Sequence, residues 1–215
     1  MRFFNPKKIE FLIKNFFGFS DAFLLKRRAN RYLRKNTERE IRVLAKLVDP
    51  NKASIDIGVY RGVYSYYLTN LTKFVYAFEA NPLLLTKIKN SFKNKNNFIL
   101  ENMAVSSSIS KTDLRIPLRD INAEYDYEQK YRLGTATIHN VNKLENKEFE
   151  IIRNIRTITL DEYNFMHNIG FVKIDVEGHE LDVIEGAKNF IKKHMPNMLI
   201  EIEKRHSGID PKVTI

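Results

Sequence analysis

The sequence contains no cysteine, only 8 glycines and 6 prolines, and no long apolar run. Without cysteine, the chain has no disulfide bond, zinc–thiolate site or thiol nucleophile, which agrees with a reducing compartment. No apolar stretch reaches the roughly 18 residues that a membrane span needs, and the N-terminus lacks the apolar region and cleavage site of a signal peptide. We therefore predict a cytoplasmic protein. Its 215 residues, 43% hydrophobic and 29% charged, suit one globular domain.

The positive charge is concentrated near the N-terminus. Residues 1–49 carry 13 Lys and Arg against 5 Asp and Glu, which accounts for +8 of the net charge of +10. We predict that they form a basic helical arm. The arm either packs on the domain with a basic outer face or rests on anionic lipid at the inner face of the membrane. Because a nucleic-acid-binding protein more often spreads basic residues over its binding face, we expect no nucleic-acid partner.

Short apolar runs and helical patterns alternate from residue 53 onward. Strands are predicted at 53–57, 74–80 and 97–105, with helices at 63–71 and 81–94 between them. This rhythm indicates βαβ units. It predicts an α/β fold with a doubly wound, mostly parallel sheet.

Residues 106–158 interrupt this rhythm and are predicted to be an insertion on the substrate side of a domain that covers 50–215. Loops on a rigid scaffold often carry substrate recognition. Strand-like alternation recurs inside the insertion, and the parallel rhythm then resumes. The predicted elements are strands at 135–141 and 149–160, a helix at 159–168, a strand at 170–178, a helix at 179–194 and a strand at 196–204.

A glycine-containing turn is predicted where the first strand meets the first helix. Asp56, Gly58 and Gly62 lie at the carboxyl end of that strand, where doubly wound sheets bind ligands. We expect Gly58 to permit a sharp turn close to the ligand and Gly62 to let the helix pack against the strand. The pattern is neither G-x-G-x-x-G nor a P-loop. The Asp56 carboxylate disfavours a phosphate and suits a cationic or zwitterionic ligand.

Further candidate cofactor residues follow the second and third predicted strands. Glu79 ends the second strand, where an acidic residue typically accepts hydrogen bonds from a ribose diol. Ala80 and Asn81 follow it directly and are assigned to the same site. The third strand would bring Glu101 and Ala104 to the place where an adenine could lie. Adenosine with a charged sulfonium and an amino-acid tail fits these features, and that ligand is S-adenosylmethionine.

Six stretches of the chain follow one another in the order of a known family. They are SIDIGVYRGVYSYYL, VYAFEANP, ENMAVS, RTITLDEY, FVKIDVEGHELDVIEGA and LIEIEKRH, within residues 53–206. In this order they resemble the FkbM-type methyltransferases, a family of the class I S-adenosylmethionine-dependent group. The resemblance implies a Rossmann-like fold and O-methylation, often of a sugar hydroxyl in a surface polysaccharide or of a natural product.

Two features depart from the family pattern. Members commonly carry Asn where this chain has Tyr60, so Tyr60 is assigned to the cofactor site with a weakened or rearranged contact. Only 12 residues follow Glu203, too few for the helix and antiparallel strand pair that usually complete the class I fold. We therefore expect that pair to be missing. The last strand would then be an exposed edge that favours a homodimer.

Candidate catalytic residues lie in the stretch KIDVEGHE. Methyl transfer from a sulfonium is an in-line displacement, so the protein must align the acceptor oxygen and remove its proton. Asp175 and Glu177 would point to the same side of a strand. They suit a general base, or a divalent cation that lowers the pKa of the acceptor hydroxyl, although the spacing does not require a metal. His179 is the alternative base, or a residue that begins a helix.

Three residues are assigned to the acceptor. Arg61 lies inside the glycine turn and would meet an anionic acceptor, such as a sugar phosphate or an acidic glycan. Thr135, or alternatively Thr137, would hydrogen-bond acceptor hydroxyls, and Glu201, or alternatively Glu203, on the last strand would reach the same pocket. The leading hypothesis is a methyltransferase for a small molecule or glycan. The alternatives are a non-catalytic methyltransferase-like domain and, less favoured, a nucleic-acid methyltransferase, for which the chain lacks an Asn-Pro-Pro-Tyr type loop.

Overall fold

A five-stranded parallel sheet forms the centre of the fold. The computed structural model describes residues 18–35, 38–119, 130–138 and 148–202. The sheet has the order β3-β2-β1-β7-β8, and every neighbouring pair in it is parallel. Its strands are β1 (Ala53–Ile57), β2 (Phe74–Phe78), β3 (Phe98–Glu101), β7 (Ile169–Ile174) and β8 (Asn197–Ile200). The prediction of a mostly parallel α/β sheet is confirmed.

Helices cover both faces of this sheet. They are α1 (Asp21–Lys35), α2 (Leu44–Leu47), α3 (Val63–Leu71), α4 (Pro82–Phe92), α5 (Glu180–Glu185) and α6 (Lys188–His194). Leu25 of α1 and Ile88 of α4 share one apolar cluster with Ala77 of β2. Val183 of α5 packs in another cluster, which includes Ile55 on the opposite side of the sheet. Because both faces are covered, all five residues of β1 are buried, as is typical of a central parallel strand.

The start of α4 shows why local sequence can determine an element. The Asn81 side chain accepts a hydrogen bond from the backbone N–H of Leu83 at 3.0 Å, and Pro82 occupies the first turn. Proline suits this position because its missing N–H would have no partner within the helix.

A smaller sheet joins two strands of the predicted insertion to one short strand that precedes it. Its order is β4-β6-β5, with β4 (Ala104–Val105), β5 (Lys111–Pro117) and β6 (Phe149–Ile158). The predicted single strand at 97–105 is therefore wrong, because β3 and β4 belong to different sheets. Between them, the Asn102 amide donates to the carbonyl oxygen of Glu79 at 2.8 Å, so a contact with a distant segment ends the strand.

The predicted helix at 159–168 is also wrong. Tyr163 and Phe165 instead pack edge-on against the ring of Tyr76 in β2, at centroid distances of 6.0 and 5.0 Å. The Tyr76 hydroxyl hydrogen-bonds Nδ1 of His167 at 2.8 Å. An irregular backbone lets these rings pack on the sheet, and this packing overrides the helical pattern of the segment.

Two more predicted elements are altered by neighbouring backbone. The predicted helix at 179–194 divides into α5 and α6 at Gly186, where an added Cβ would lie 2.1 Å from the carbonyl oxygen of Ser106. In the described residues 135–138 of the predicted strand at 135–141, the only strand-like feature is an isolated pairing of Thr137 with Arg115, after a 3-10 turn at Leu133–Thr135. Residues 139–141 lie outside the described residues.

The described part of the basic arm packs on the domain. Leu24, Leu25 and Ala29 of α1 are buried, and α1 contacts α3 and α4. Phe19 and Phe23 stack on each other with centroids 4.5 Å apart and remain 38% and 45% exposed. Residues 1–17 lie outside the described residues, so contact with a membrane stays a prediction. No helix in the described part of the chain is long and apolar enough to cross a membrane.

Strand β8 forms one edge of the five-stranded sheet. Within the described residues it pairs with β7 alone, and three of its four residues are half-buried. Residues 203–215, where the predicted last strand would end and where the antiparallel pair was expected to be missing, lie outside the described residues. A homodimer through this edge therefore stays a prediction.

Candidate active site

A cleft opens at the carboxyl ends of β1, β2 and β7. It encloses about 650 Å³ of space including its open mouth. Eight of the predicted site residues line it. They are Gly58, Tyr60, Glu79, Ala80, Ala104, Asp175, Glu177 and His179.

The turn after β1 requires glycine at its first position. Gly58 has a φ of +82°, and a Cβ there would lie 1.9 Å from the carbonyl oxygen of Asp175. Gly58 thus lets the ends of β1 and β7 approach each other beside the cleft. Gly62 begins α3 with a φ of +75°, and its close neighbour is the ring of Phe92 in α4, 2.9 Å from an added Cβ. Gly62 therefore permits packing against another helix, whereas we had expected packing against the strand.

Tyr60 occupies a strained position in the wall of the cleft. Its φ of +51° lies in the left-handed region, which is costly for a bulky residue and is often found at functional sites. Its backbone N–H donates to Oε2 of Glu79 at 2.8 Å. Its ring packs over Gly134, where an added Cβ would lie 3.0 Å from Cζ of Tyr60. Tyr60 therefore closes one side of the cleft.

Glu79 is held at the end of β2 by two backbone N–H groups. Oε2 accepts from Tyr60, and Oε1 accepts from Asn81 at 2.8 Å. Its side chain is almost completely buried, and burial raises the pKa of Glu79 to about 7, although both N–H groups act in the opposite direction. Asn81 does not line the cleft but fixes Glu79 and caps α4.

The segment after β3 brings only one of its two predicted residues to the cleft. Ala104 lines it beside Met103 and Val105, so this apolar wall lies where the adenine was predicted. Glu101 does not line the cleft. Its Oε1 accepts a hydrogen bond from the Tyr163 hydroxyl at 2.8 Å, which ties β3 to the aromatic loop.

Asp56 belongs to a buried ionic cluster beside the cleft. Its side chain is fully buried and does not line the cleft. Its Oδ2 accepts from the Ser65 hydroxyl at 2.6 Å, and its Oδ1 lies 3.8 Å from Nζ of Lys173. Burial raises the pKa of Asp56, although Lys173 and Ser65 oppose that shift. Asp56 therefore stabilises the segment around the turn through Ser65 and Lys173, and its side chain does not reach the cleft.

Lys173 connects the cluster to the site, and sequence analysis missed it. Its Nζ donates to the Gly58 carbonyl oxygen at 3.1 Å and to Oδ2 of Asp175 at 3.0 Å, and it lies 5.0 Å from the centroid of the Tyr64 ring. Burial lowers the pKa of Lys173, but the carboxylates of Asp175 and Asp56 outweigh burial and raise it. The available signal was a lysine inside the apolar strand GFVKI, because such a charge is buried only when it is paired.

The predicted catalytic residues lie in a turn, and not on a strand. β7 ends at Ile174, and Glu177 and Gly178 have φ values of +55° and +100°. The expected strand alternation of Asp175 and Glu177 therefore does not apply, although both residues line the cleft. Thr137 donates to the Glu177 carbonyl oxygen at 2.9 Å, which holds the insertion against this turn.

His179 faces the cleft with both ring nitrogens close to polar atoms. Nε2 lies 2.9 Å from the Ser106 hydroxyl, and Nδ1 lies 3.3 Å from Oδ2 of Asp182. His179 also precedes α5 as its N-cap residue, without a side-chain capping bond. The ring is thus fixed between the small sheet and α5.

The three residues assigned to the acceptor lie outside this cleft. Arg61 and Thr135 line a second cavity that shares Tyr60, Leu133 and Gly134 with the first. Glu201 follows β8, and its backbone N–H donates to the Ile174 carbonyl oxygen at 2.9 Å. Glu201 lines neither cavity. No group of three or more His, Asp or Glu side chains suited to a metal ion occurs among the described residues.

The sequence match covers the whole of this site. The family model described as the Methyltransferase FkbM domain matches residues 56–213, most of the chain. The chain belongs to the FkbM methyltransferase family. None of the curated proteins matches the sequence significantly.

Several solved methyltransferase structures are similar to parts of this FkbM chain. An FkbM methyltransferase from Methylobacillus flagellatus is 16% identical, with a TM-score of 0.48 over 75% of this chain and 36% of its own. SMU.1697c of Streptococcus mutans, in complex with SAH, is 27% identical, with a TM-score of 0.30 over 32% of this chain and 40% of its own. An rRNA methylase from Streptococcus thermophilus is 24% identical, with a TM-score of 0.29 over 31% and 41%. This FkbM chain thus spans less than half the length of each of these proteins.

Proposed function

We propose that this protein is an S-adenosylmethionine-dependent O-methyltransferase that acts on a hydroxyl of a small molecule or glycan. The observation that carries the proposal is the cleft at the carboxyl ends of β1, β2 and β7. There the Glu79 carboxylate is held by two backbone N–H groups beside the Gly58 turn. Membership of the FkbM family supports methyl transfer.

The cleft residues fit the proposed cofactor. Glu79 keeps acceptor capacity for a ribose diol, because each carboxylate oxygen has two lone pairs and here accepts one backbone bond. Met103 and Ala104 supply an apolar wall suited to an adenine. Asp175 supplies negative charge at the mouth of the Gly58 turn, which suits a cationic sulfonium. When bound, S-adenosylmethionine supplies an electrophilic methyl group.

Asp175 is the preferred candidate for accepting the proton of the acceptor hydroxyl. Its side chain is 31% exposed in the cleft, and Lys173 fixes Oδ2. His179 is less suited, because Nε2 already meets the Ser106 hydroxyl and Nδ1 lies near Asp182. Direct proton transfer to His179 would require one of these contacts to open. Lys173 is a positioning residue that orients Asp175 and Gly58.

The test is calorimetric titration of the full chain with SAH, the product form of the cofactor. Saturable binding is expected. At about pH 8.5, where the Glu79 side chain with its pKa of about 7 is charged, Glu79→Gln should weaken SAH binding about tenfold, because a charged hydrogen-bond acceptor becomes neutral. Glu79 is chosen because it lines the cleft, whereas Asp56 is fully buried and does not line it. Replacement of Asp56 would also disturb folding.

Glu185→Gln is the matched control, because it makes the same chemical change on the exposed face of α5. It should bind SAH like the unmodified protein. If a folded chain shows no saturable binding, the enzyme proposal fails, and a non-catalytic methyltransferase-like domain becomes the better account. Equal weakening by both substitutions would remove Glu79 from the site. Once SAH binding is established, methyl transfer to sugars is assayed with and without Mg²⁺.

A further inference from the structure

A second cavity adjoins the cleft on the far side of Tyr60. It encloses about 520 Å³ including its open mouth, and it shares Tyr60, Leu133 and Gly134 with the cleft. The strained Tyr60 therefore stands at the boundary between the two spaces. A methyl acceptor must lie next to the cofactor, so the second cavity is well placed for the part of the acceptor that does not react.

Three arginines from three different segments line this cavity. Arg61 follows Tyr60 in the turn after β1, Arg119 follows β5, and Arg132 precedes the 3-10 turn at Leu133–Thr135. No acidic side chain among the described residues lines it.

The backbone holds two of these arginines in register. The N–H of Arg119 donates to the Lys130 carbonyl oxygen, and the N–H of Arg132 donates to the Pro117 carbonyl oxygen, both at 2.8 Å. Leu118 and Tyr131 form the antiparallel bridge between these bonds. Arg119 and Arg132 therefore lie on neighbouring backbone segments beside the same cavity. Both are distant from Arg61 in the sequence.

The third arginine, Arg61, lies in the turn after β1. The guanidinium carbon of Arg61 lies 5.3 Å from the centroid of the Tyr60 ring, a cation–π distance. Guanidinium groups bind phosphate and carboxylate through paired, charge-assisted hydrogen bonds. Three of them around one cavity favour an oxyanion over a neutral sugar.

We propose that the second cavity binds an anionic group of the methyl acceptor, a phosphate or a carboxylate, through Arg61, Arg119 and Arg132. This inference rests on the proposed function and specifies its substrate class as an acidic hydroxyl compound. The Thr135 hydroxyl lies in the same cavity and donates to the Arg132 carbonyl oxygen at 3.0 Å, so its oxygen keeps acceptor capacity for a hydroxyl of the acceptor. The neutral part of the acceptor then extends past Tyr60 toward the cleft.

The test is calorimetric titration of the full chain, saturated with SAH, in a buffer of low ionic strength without phosphate. The probes are glucose 1-phosphate, glucuronate and uncharged glucose. At least one anionic probe should bind saturably, and glucose should bind at least about tenfold more weakly, because charge-assisted hydrogen bonds are the stronger class. Comparison of the two anions distinguishes phosphate from carboxylate recognition.

The decisive variant is Arg119→Gln combined with Arg132→Gln, because both side chains are exposed and neither lines the cofactor cleft. It should lose about tenfold or more in affinity for the anionic probe and keep its affinity for SAH. Arg153→Gln, an exposed position on β6 outside the cavity, is the matched control and should change neither affinity. If the double variant does not fold, the single substitution Arg132→Gln decides.

The inference is overturned by equal binding of glucose and the anions, by unchanged anion binding in the double variant, or by an equal loss of anion affinity in Arg153→Gln. Titration of SAH into the unliganded chain from the same preparation tests the proposed function separately. A chain that binds SAH but no anionic probe keeps the proposed function and loses this inference. A folded chain that binds no SAH loses the proposed function, whatever the anions do.

Discussion

Replacing Lys173 with methionine should destabilise the protein strongly. The side chain of Lys173 is 5% exposed and that of Asp56 is fully buried, with Nζ and Oδ1 3.8 Å apart. The substitution leaves a buried carboxylate without its cation and removes the hydrogen bonds to Gly58 and Asp175. Breaking one side of a buried ion pair costs about 3–5 kcal/mol. We expect a loss of that size in the free energy of unfolding at pH 7.

The assay is urea unfolding followed by circular dichroism and by tyrosine fluorescence, since the chain has 10 tyrosines and no tryptophan. Lys192→Met on the exposed face of α6 is the matched control, and it should change the free energy of unfolding by less than about 0.5 kcal/mol. A loss below about 1 kcal/mol in Lys173→Met would refute the reasoning, because a buried pair of this kind cannot be removed so cheaply.

The pH dependence of Lys173→Met identifies the cause of the loss. Burial already raises the pKa of Asp56, and removal of the cation raises it further. A carboxyl whose pKa is higher in the folded state stabilises the protein at low pH, and this contribution is lost as pH rises. The difference in free energy of unfolding between Lys173→Met and the unmodified protein should therefore become smaller below neutral pH. This difference should also become smaller when Asp56→Asn is introduced into both proteins. A gap independent of both changes would contradict the ionic explanation.

Three further substitutions have defined outcomes. Gly58→Ala should cost more than about 2 kcal/mol in urea unfolding, because a Cβ would meet the Asp175 carbonyl oxygen at 1.9 Å. Glu79 has a pKa of about 7 in the fold against an ordinary value of 4.5. Ionisation of Glu79 should therefore lower the free energy of unfolding by up to about 3 kcal/mol as the pH rises from about 4.5 to about 7. Glu79→Gln should lack this decline. Tyr163→Phe should cost about 1 kcal/mol in thermal unfolding, because it removes the hydrogen bond to Glu101.

Each of these substitutions has a control within the chain. Gly18 also has a positive φ, of +61°, but no atom lies within 4 Å of an added Cβ. A cost of Gly18→Ala equal to that of Gly58→Ala would show that the close approach to Asp175 is unimportant. Glu185→Gln should keep the pH dependence that Glu79→Gln loses, and equal profiles would assign that dependence elsewhere. Tyr66→Phe should leave the unfolding temperature nearly unchanged, since no hydrogen bond of its hydroxyl occurs among the described residues.

Much of the site could be predicted because its residues lie at the ends of elements with clear local patterns. Gly58 and Glu79 follow short apolar runs, and parallel strands bring such ends to one edge of a sheet. Lys173 escaped prediction because its importance depends on Asp56 and Asp175 meeting it across two strands. Arg119 and Arg132 of the second cavity escaped for a similar reason, since the pairing of Leu118 with Tyr131 brings these two arginines together.

The sequence by itself determined the alternation of strands and helices in the parallel sheet and the start of α4 at Asn81 and Pro82. Hydrophobic periodicity and helix capping are properties of neighbouring residues, so they can be recognised without the fold. Only the tertiary structure decided that residues 97–105 divide between two sheets, that residues 159–168 form an aromatic loop on Tyr76, and that α5 ends at Gly186. Each of these depends on contacts between segments that are distant along the chain, and such contacts override local preference when they bury apolar rings or bring backbones together.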